Sequence, residues 1–130
     1  MNYRQLLLTS LLGLSLLINS GCPALLLGGA AGAGSVAYIT GELKSTEEVS
    51  MSRAWRATQK TMNDLGFAIT SMEKDAFYGQ ITARGAGDKK VKIKLERQSD
   101  KLTGIKIRVG MFGDEPLSMQ ILNNIRKRYS

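Results

Sequence analysis

The 130 residues make room for one small domain, and 43% apolar residues, 22% charged residues and two prolines are the composition of a folded chain rather than a disordered one. Histidine is absent and the only cysteine is Cys22, which excludes an intramolecular disulfide and a Cys/His metal centre, so no metal or other cofactor is expected. The formal charge is +7, falling to +6 if Arg4 is removed with a leader, because all eleven acidic residues lie beyond Cys22; a basic exterior of this kind favours anionic partners.

At the N-terminus, Arg4 is followed by residues 6–18, which hold nothing more polar than Thr and Ser, and then by Asn19-Ser20-Gly21-Cys22. A cationic, an apolar and a small-residue region in this order form a secretory signal. The apolar run is shorter than the roughly 20 residues a spanning helix takes. Ser20-Gly21-Cys22 resembles the lipobox, with Asn19 standing where lipoboxes usually carry Leu; the resemblance implies cleavage after residue 21 and acylation of Cys22. Residues 1–21 are then a lipoprotein signal, 22–36 a Gly/Ala-rich tether and 37–130 a small domain. Removing residues 1–21 of the 130 leaves 109. Each buried CH₂ contributes about 0.8 kcal/mol, and a second acyl chain turns marginal membrane binding into stable anchoring. Pro23 stands where enteric lipoproteins retained at the inner membrane carry Asp, so the expected location is the outer membrane, facing the periplasm.

Two other readings of this segment stay open. Cys22 is an ordinary thiol after an ordinary signal, or the segment is an uncleaved anchor, since no charge occurs between Arg4 and Glu42 and Gly28 and Gly32 make a GxxxG helix contact. Pro23 and the glycines at 28, 29, 32 and 34 oppose one continuous helix and favour a flexible tether.

Beyond residue 36 the pattern alternates. Residues 38–49 read as a first strand with Leu43 inward and Glu42 and Lys44 outward. Ser50 or Ser52 then caps a helix running to Leu65, with Ala54, Trp55, Thr58, Met62 and Leu65 on one stripe and Gly66 closing it. Residues 67–73 and 78–84 make a hairpin turned by Lys74-Asp75-Ala76-Phe77, and Gly85-Ala86-Gly87-Asp88 turns the chain into residues 90–97. There Val91, Ile93 and Leu95 alternate with Lys90, Lys92, Lys94 and Glu96; residues 103–109 repeat the pattern with Ile105, Ile107 and Val109 against Lys106 and Arg108. Asp114 caps a last helix, with Glu115 and Pro116 in its first turn, and Leu117, Ile121, Leu122, Ile125 and Tyr129 facing inward. The expected architecture is α+β, an antiparallel sheet of about five strands with two helices on one face, in the order β-α-β-β-β-β-α.

Gly21-Cys22-Pro23, the Gly/Ala tether, residues 38–42, Leu65-Gly66-Phe67, Glu73-Lys74-Asp75 and above all Arg108-Val109-Gly110-Met111-Phe112-Gly113-Asp114 resemble a family of small, uncharacterised Gram-negative lipoproteins. The resemblance spans nearly the whole mature chain. It implies a lipidated, envelope-facing α+β domain and transfers no catalytic or ligand-binding residue.

The conspicuous surface feature is the pair of basic strands. If their paired residue numbers sum to about 200, Lys94 faces Lys106 and Lys92 faces Arg108, an opposition of like charges; a one-pair shift would set Glu96 beside Lys106. Lys90, Lys92, Lys94, Lys106 and Arg108 are therefore a candidate anion-binding face, weighed against a solvated sheet face that discourages edge pairing. The Gly110-to-Asp114 loop offers N–H groups at a helix start, weighed against a plain strand-to-helix turn with Phe112 packed inward. Trp55 reads as core, and Glu47-Glu48 and Asp114-Glu115 as acids answering to helix dipoles. No nucleophile or general-base constellation stands out. The expected function is a noncatalytic binding or scaffolding lipoprotein, held by lipid on Cys22 and facing an anionic envelope component or an envelope protein, with no nucleic acid partner. A homo-oligomeric membrane assembly subunit and a carboxylate-based envelope enzyme are the alternatives.

Overall fold

A computed structural model describes residues 35–129. The signal, Cys22 and the tether up to Gly34 lie outside the described residues. The elements are β1 (Val36–Ile39), β2 (Glu42–Glu47), α1 (Met51–Asp64), β3 (Ala68–Lys74), β4 (Tyr78–Arg84), β5 (Lys90–Ser99), β6 (Leu102–Val109) and α2 (Glu115–Lys127), with a single 3₁₀ turn at Ala86–Asp88. All six strands form one antiparallel sheet in the order β1-β2-β6-β5-β4-β3.

The architecture is the expected α+β layer pair, with one more strand than the alternation indicated. The stretch read as a single first strand folds back on itself at Thr40 and Gly41, pairing Ile39 with Glu42. Both turn residues have positive φ, 52° and 80°, the conformation of a two-residue I′ hairpin turn. Thr is an unusual residue there, and it carries none of the Asn-Gly or Asp-Gly signal by which such turns are read. A tertiary contact holds it: Arg108 Nη2 donates to the Thr40 carbonyl at 2.8 Å.

Consecutive strands β3 to β6 form a meander by local turns. Asp75 Oδ1 accepts from the Phe77 and Tyr78 amides, each at 2.8 Å, which fixes the β3–β4 turn. The join between β2 and β6 is the one pairing between strands distant in sequence, and it places Leu43 opposite Ile107.

Both helices cover one sheet face. From the strands that face contributes Leu43, Ile81, Ala83, Val91, Ile93, Leu95, Ile105, Ile107 and Val109, all buried. From α1 come Met51, Ala54, Ala57, Thr58, Thr61 and Met62, so the buried stripe is rotated from the expected one, with Trp55 and Leu65 at its half-buried margin. The Trp55 ring lies on Gly79 of β4, where a Cβ would sit 2.6 Å from its Cζ3, so the indole packs on backbone rather than beside a side chain. From α2 come Ser118, Ile121, Leu122 and Ile125.

The helix ends follow their sequence signals. Ser50 Oγ accepts from the Arg53 amide at 3.4 Å, and Gly66 at φ 80° lets the Phe67 amide return to the Met62 carbonyl at 2.9 Å, closing α1 with a Schellman turn. Asp114 Oδ1 caps α2 by accepting from the Leu117 amide at 3.1 Å.

Candidate anion-binding face

Because side chains alternate along each strand, burying the Val91, Ile93, Leu95 and Ile105, Ile107, Val109 series under the helices turns their neighbours to the open face. The register is the one in which paired numbers of β5 and β6 sum to 200: Lys92 opposes Arg108 and Lys94 opposes Lys106. On the other side of β6, Lys44 opposes Lys106. Three lysines, Lys44, Lys106 and Lys94, therefore stand in one row across β2, β6 and β5, and Gln80 of β4 continues it. The next row runs Glu42, Arg108, Lys92, Thr82.

Directly opposed Cβ atoms in such a sheet are about 4.5–5.5 Å apart, and like charges placed this way destabilise the pair. Some of that repulsion is relieved locally. Glu96 reaches diagonally to Lys106, Oε1 to Nζ 3.4 Å, without the register shift that would have set the two side by side. The Lys44, Lys90, Lys92 and Lys94 side chains make no hydrogen bond or ion pair among the described residues. They are the cations left available.

The five residues singled out by sequence are thus not equivalent. Lys92 and Lys94 project free from the middle of the face, Lys106 is shared with Glu96, and Lys90 stands at the margin opposite Arg84. Arg108 is held by the fold itself. Besides the Thr40 carbonyl it reaches the Met111 carbonyl, to which its Nη1 donates at 3.3 Å, and so clamps the β1–β2 turn to the loop after β6. Lys44 reads as outward in the sequence, yet only the distant β2–β6 pairing brings it to the basic strands. A groove of about 540 Å³ is lined by Lys89, Lys90, Lys92, Arg108 and Met111, with Asp88 as its one carboxylate.

The Gly110-to-Asp114 loop does not present an open anion site. The Asp114 carboxylate occupies the start of α2 and also pairs with Lys89 at 3.2 Å. The hydrogen bond from the Leu117 amide, then Lys89, holds its pKa below the usual carboxylate range. Phe112 does not pack inward either: it is 89% exposed, and Met111 82%. Gly110 and Gly113 at φ 70° and 85° turn the loop so that its backbone, not its side chains, meets the hairpin. A Cβ on Gly41 would lie 2.7 Å from the Phe112 carbonyl oxygen, so this close approach requires glycine.

The adjacent acids also separate. Glu48 is exposed, while Glu47 turns under the sheet and pairs with Arg126 of α2, and α1 carries no acid in its first turn. A cleft of about 520 Å³ at the α1 start holds Asp75 and Asp100, but the first caps a turn and the second pairs with Arg97. Among the described residues no three Asp, Glu, Cys or His side chains converge as a metal site, and no helix is long and apolar enough to cross a membrane.

Fold and surface together define a small α+β domain with helices on one face of an antiparallel sheet and a cationic opposite face. The chain belongs to the family described as protein of unknown function (DUF3568), which it matches over residues 5–128. No curated protein matches it.

Proposed function

We propose that this protein is a noncatalytic lipoprotein of a Gram-negative envelope, anchored through acylated Cys22 at the outer membrane, whose domain binds an anionic envelope component through its open sheet face. The observation that supports this reading is the Lys44–Lys106–Lys94 row. A fold stabilised only from within has no use for three directly opposed cations, whereas a phosphate- or carboxylate-bearing surface neutralises all three at once. The small-residue site before Cys22 supplies the anchor, and the sheet face supplies recognition of the surface or polymer nearby.

The test has two arms. In membrane fractionation, Cys22→Ala releases the protein from the membrane; continued attachment would favour an uncleaved N-terminal anchor. In flotation with vesicles containing anionic lipid or lipopolysaccharide, Lys44→Gln/Lys94→Gln/Lys106→Gln weakens binding and flattens its salt dependence. Binding that is unchanged in the triple variant rejects the sheet face as the site.

A further inference from the structure

The helical side of the domain carries a second basic surface, away from the sheet face and independent of its role. Arg53, Arg56 and Lys60 follow one exposed ridge of α1 at spacings of three and four residues. Facing them are Lys127 and Arg128 at the end of α2, and together with Tyr129 they line a groove of about 350 Å³ between the helices.

Few of these charges are neutralised. Arg128 pairs with Asp64 and donates from Nε to Thr61 Oγ1 at 3.2 Å; Arg53 donates from Nη2 to the Tyr129 carbonyl at 3.3 Å. The Arg56, Lys60 and Lys127 side chains have neither a hydrogen bond nor an ion pair among the described residues. Among the described residues one carboxylate, Asp64, stands against five cations.

The arrangement opposes helix stability in two ways. Like charges three and four residues apart on α1 repel, and Arg53 sits in a first turn where the helix dipole favours anions and no acid is present. Local rules broken together in one groove mark a place selected for binding rather than for folding.

We propose that this interhelical groove binds a phosphorylated polyanion, a pyrophosphate or bisphosphate group. A single carboxylate would leave most of the cationic charge unmatched, whereas two phosphates answer it. The planar guanidinium of Arg56 suits two-point contact with phosphate oxygens, and Lys60 and Lys127 supply point charges on either wall. The volume lies within the range of small-ligand sites. The same chemistry is offered by a soluble polyphosphate and by a phosphorylated lipid headgroup.

The full-length protein in neutral detergent, titrated with sodium pyrophosphate at constant ionic strength, should show a saturable rise in melting temperature beyond that in chloride. Arg56→Gln/Lys60→Gln/Lys127→Gln should weaken this binding roughly a hundredfold. Without ligand, the same variant should melt no lower than the parent, since it relieves repulsion. Lys44→Gln/Lys94→Gln/Lys106→Gln should bind pyrophosphate as the parent does, which separates this site from the sheet face. Flotation with vesicles bearing a bisphosphorylated lipid assigns the source: loss of flotation in the groove variant points to a headgroup, and pyrophosphate binding without flotation to a soluble ligand. A response to pyrophosphate no greater than to chloride, or equal binding by the groove variant, overturns the proposal.

Discussion

Glu47 of β2 and Arg126 of α2, 79 positions apart, form an ion pair that ties the last helix to the inner face of the sheet. The Glu47 side chain is 5% exposed, Arg126 Nη2 approaches both Glu47 Oε2 and Ser45 Oγ at 3.4 Å, and the hydrogen bond to Glu47 raises the Arg126 pKa further. The carboxylate lies where alternation calls for an apolar residue, and the guanidinium is what makes that burial tolerable. Glu47→Gln is expected to lower the unfolding free energy by about 2–3 kcal/mol in urea titration, less than the 3–5 typical of a fully buried pair because Arg126 retains 29% exposure. Glu47→Leu/Arg126→Leu should recover part of the loss.

The Tyr129 hydroxyl is buried beside this pair and, among the described residues, has no hydrogen bond of good geometry. Burial first, then the Glu47 carboxylate, push its pKa well above the ordinary 10.0 of a phenol. A raised folded-state pKa favours the protonated form, so the stability it confers is complete below pH 10 and is lost as pH rises beyond it, where the unfolded chain ionises first. Melting temperature measured between about pH 8 and 11 should fall less steeply for Tyr129→Phe than for the parent. Parallel curves would show that Tyr129 is not responsible.

The lysine row makes a prediction about stability separate from binding. Lys44→Gln or Lys94→Gln removes one like-charge opposition while leaving the Lys106–Glu96 pair intact. Each should stabilise the domain by about 0.2–1 kcal/mol at low salt. The gain should vanish near 1 M salt, where the screening length falls to about 3 Å.

Arg108 is expected to behave as a clamp rather than an anion ligand. Arg108→Ala removes the hydrogen bonds to the Thr40 and Met111 carbonyls and should cost about 1–2 kcal/mol. Faster amide hydrogen exchange should be confined to the β1–β2 turn and residues 110–113. Arg108→Lys should not restore protection, because one ammonium does not reproduce the fork that spans two carbonyls.

Sequence by itself determined the layers of this protein. Period-two alternation in residues 90–97 and 103–109 fixed which side chains face the helices, and a sheet with one apolar face has to be covered on that face alone. The caps at Ser50 and Asp114 and the glycine at Gly66 were legible because their hydrogen bonds are local. So was the Lys94–Lys106 opposition, since a short connection leaves few registers that keep both apolar faces inward.

Tertiary structure decided what depends on residues distant in the chain. The β2–β6 pairing added Lys44 to the basic face, Arg126 drew Glu47 inward, Arg108 turned one expected strand into a hairpin at Thr40, and the meeting of α1 with the end of α2 gathered five cations around one groove. None of these is visible in periodicity. A carboxylate under a sheet or a threonine at positive φ is unfavourable alone and is stable only because a guanidinium from elsewhere in the fold arrives to hold it.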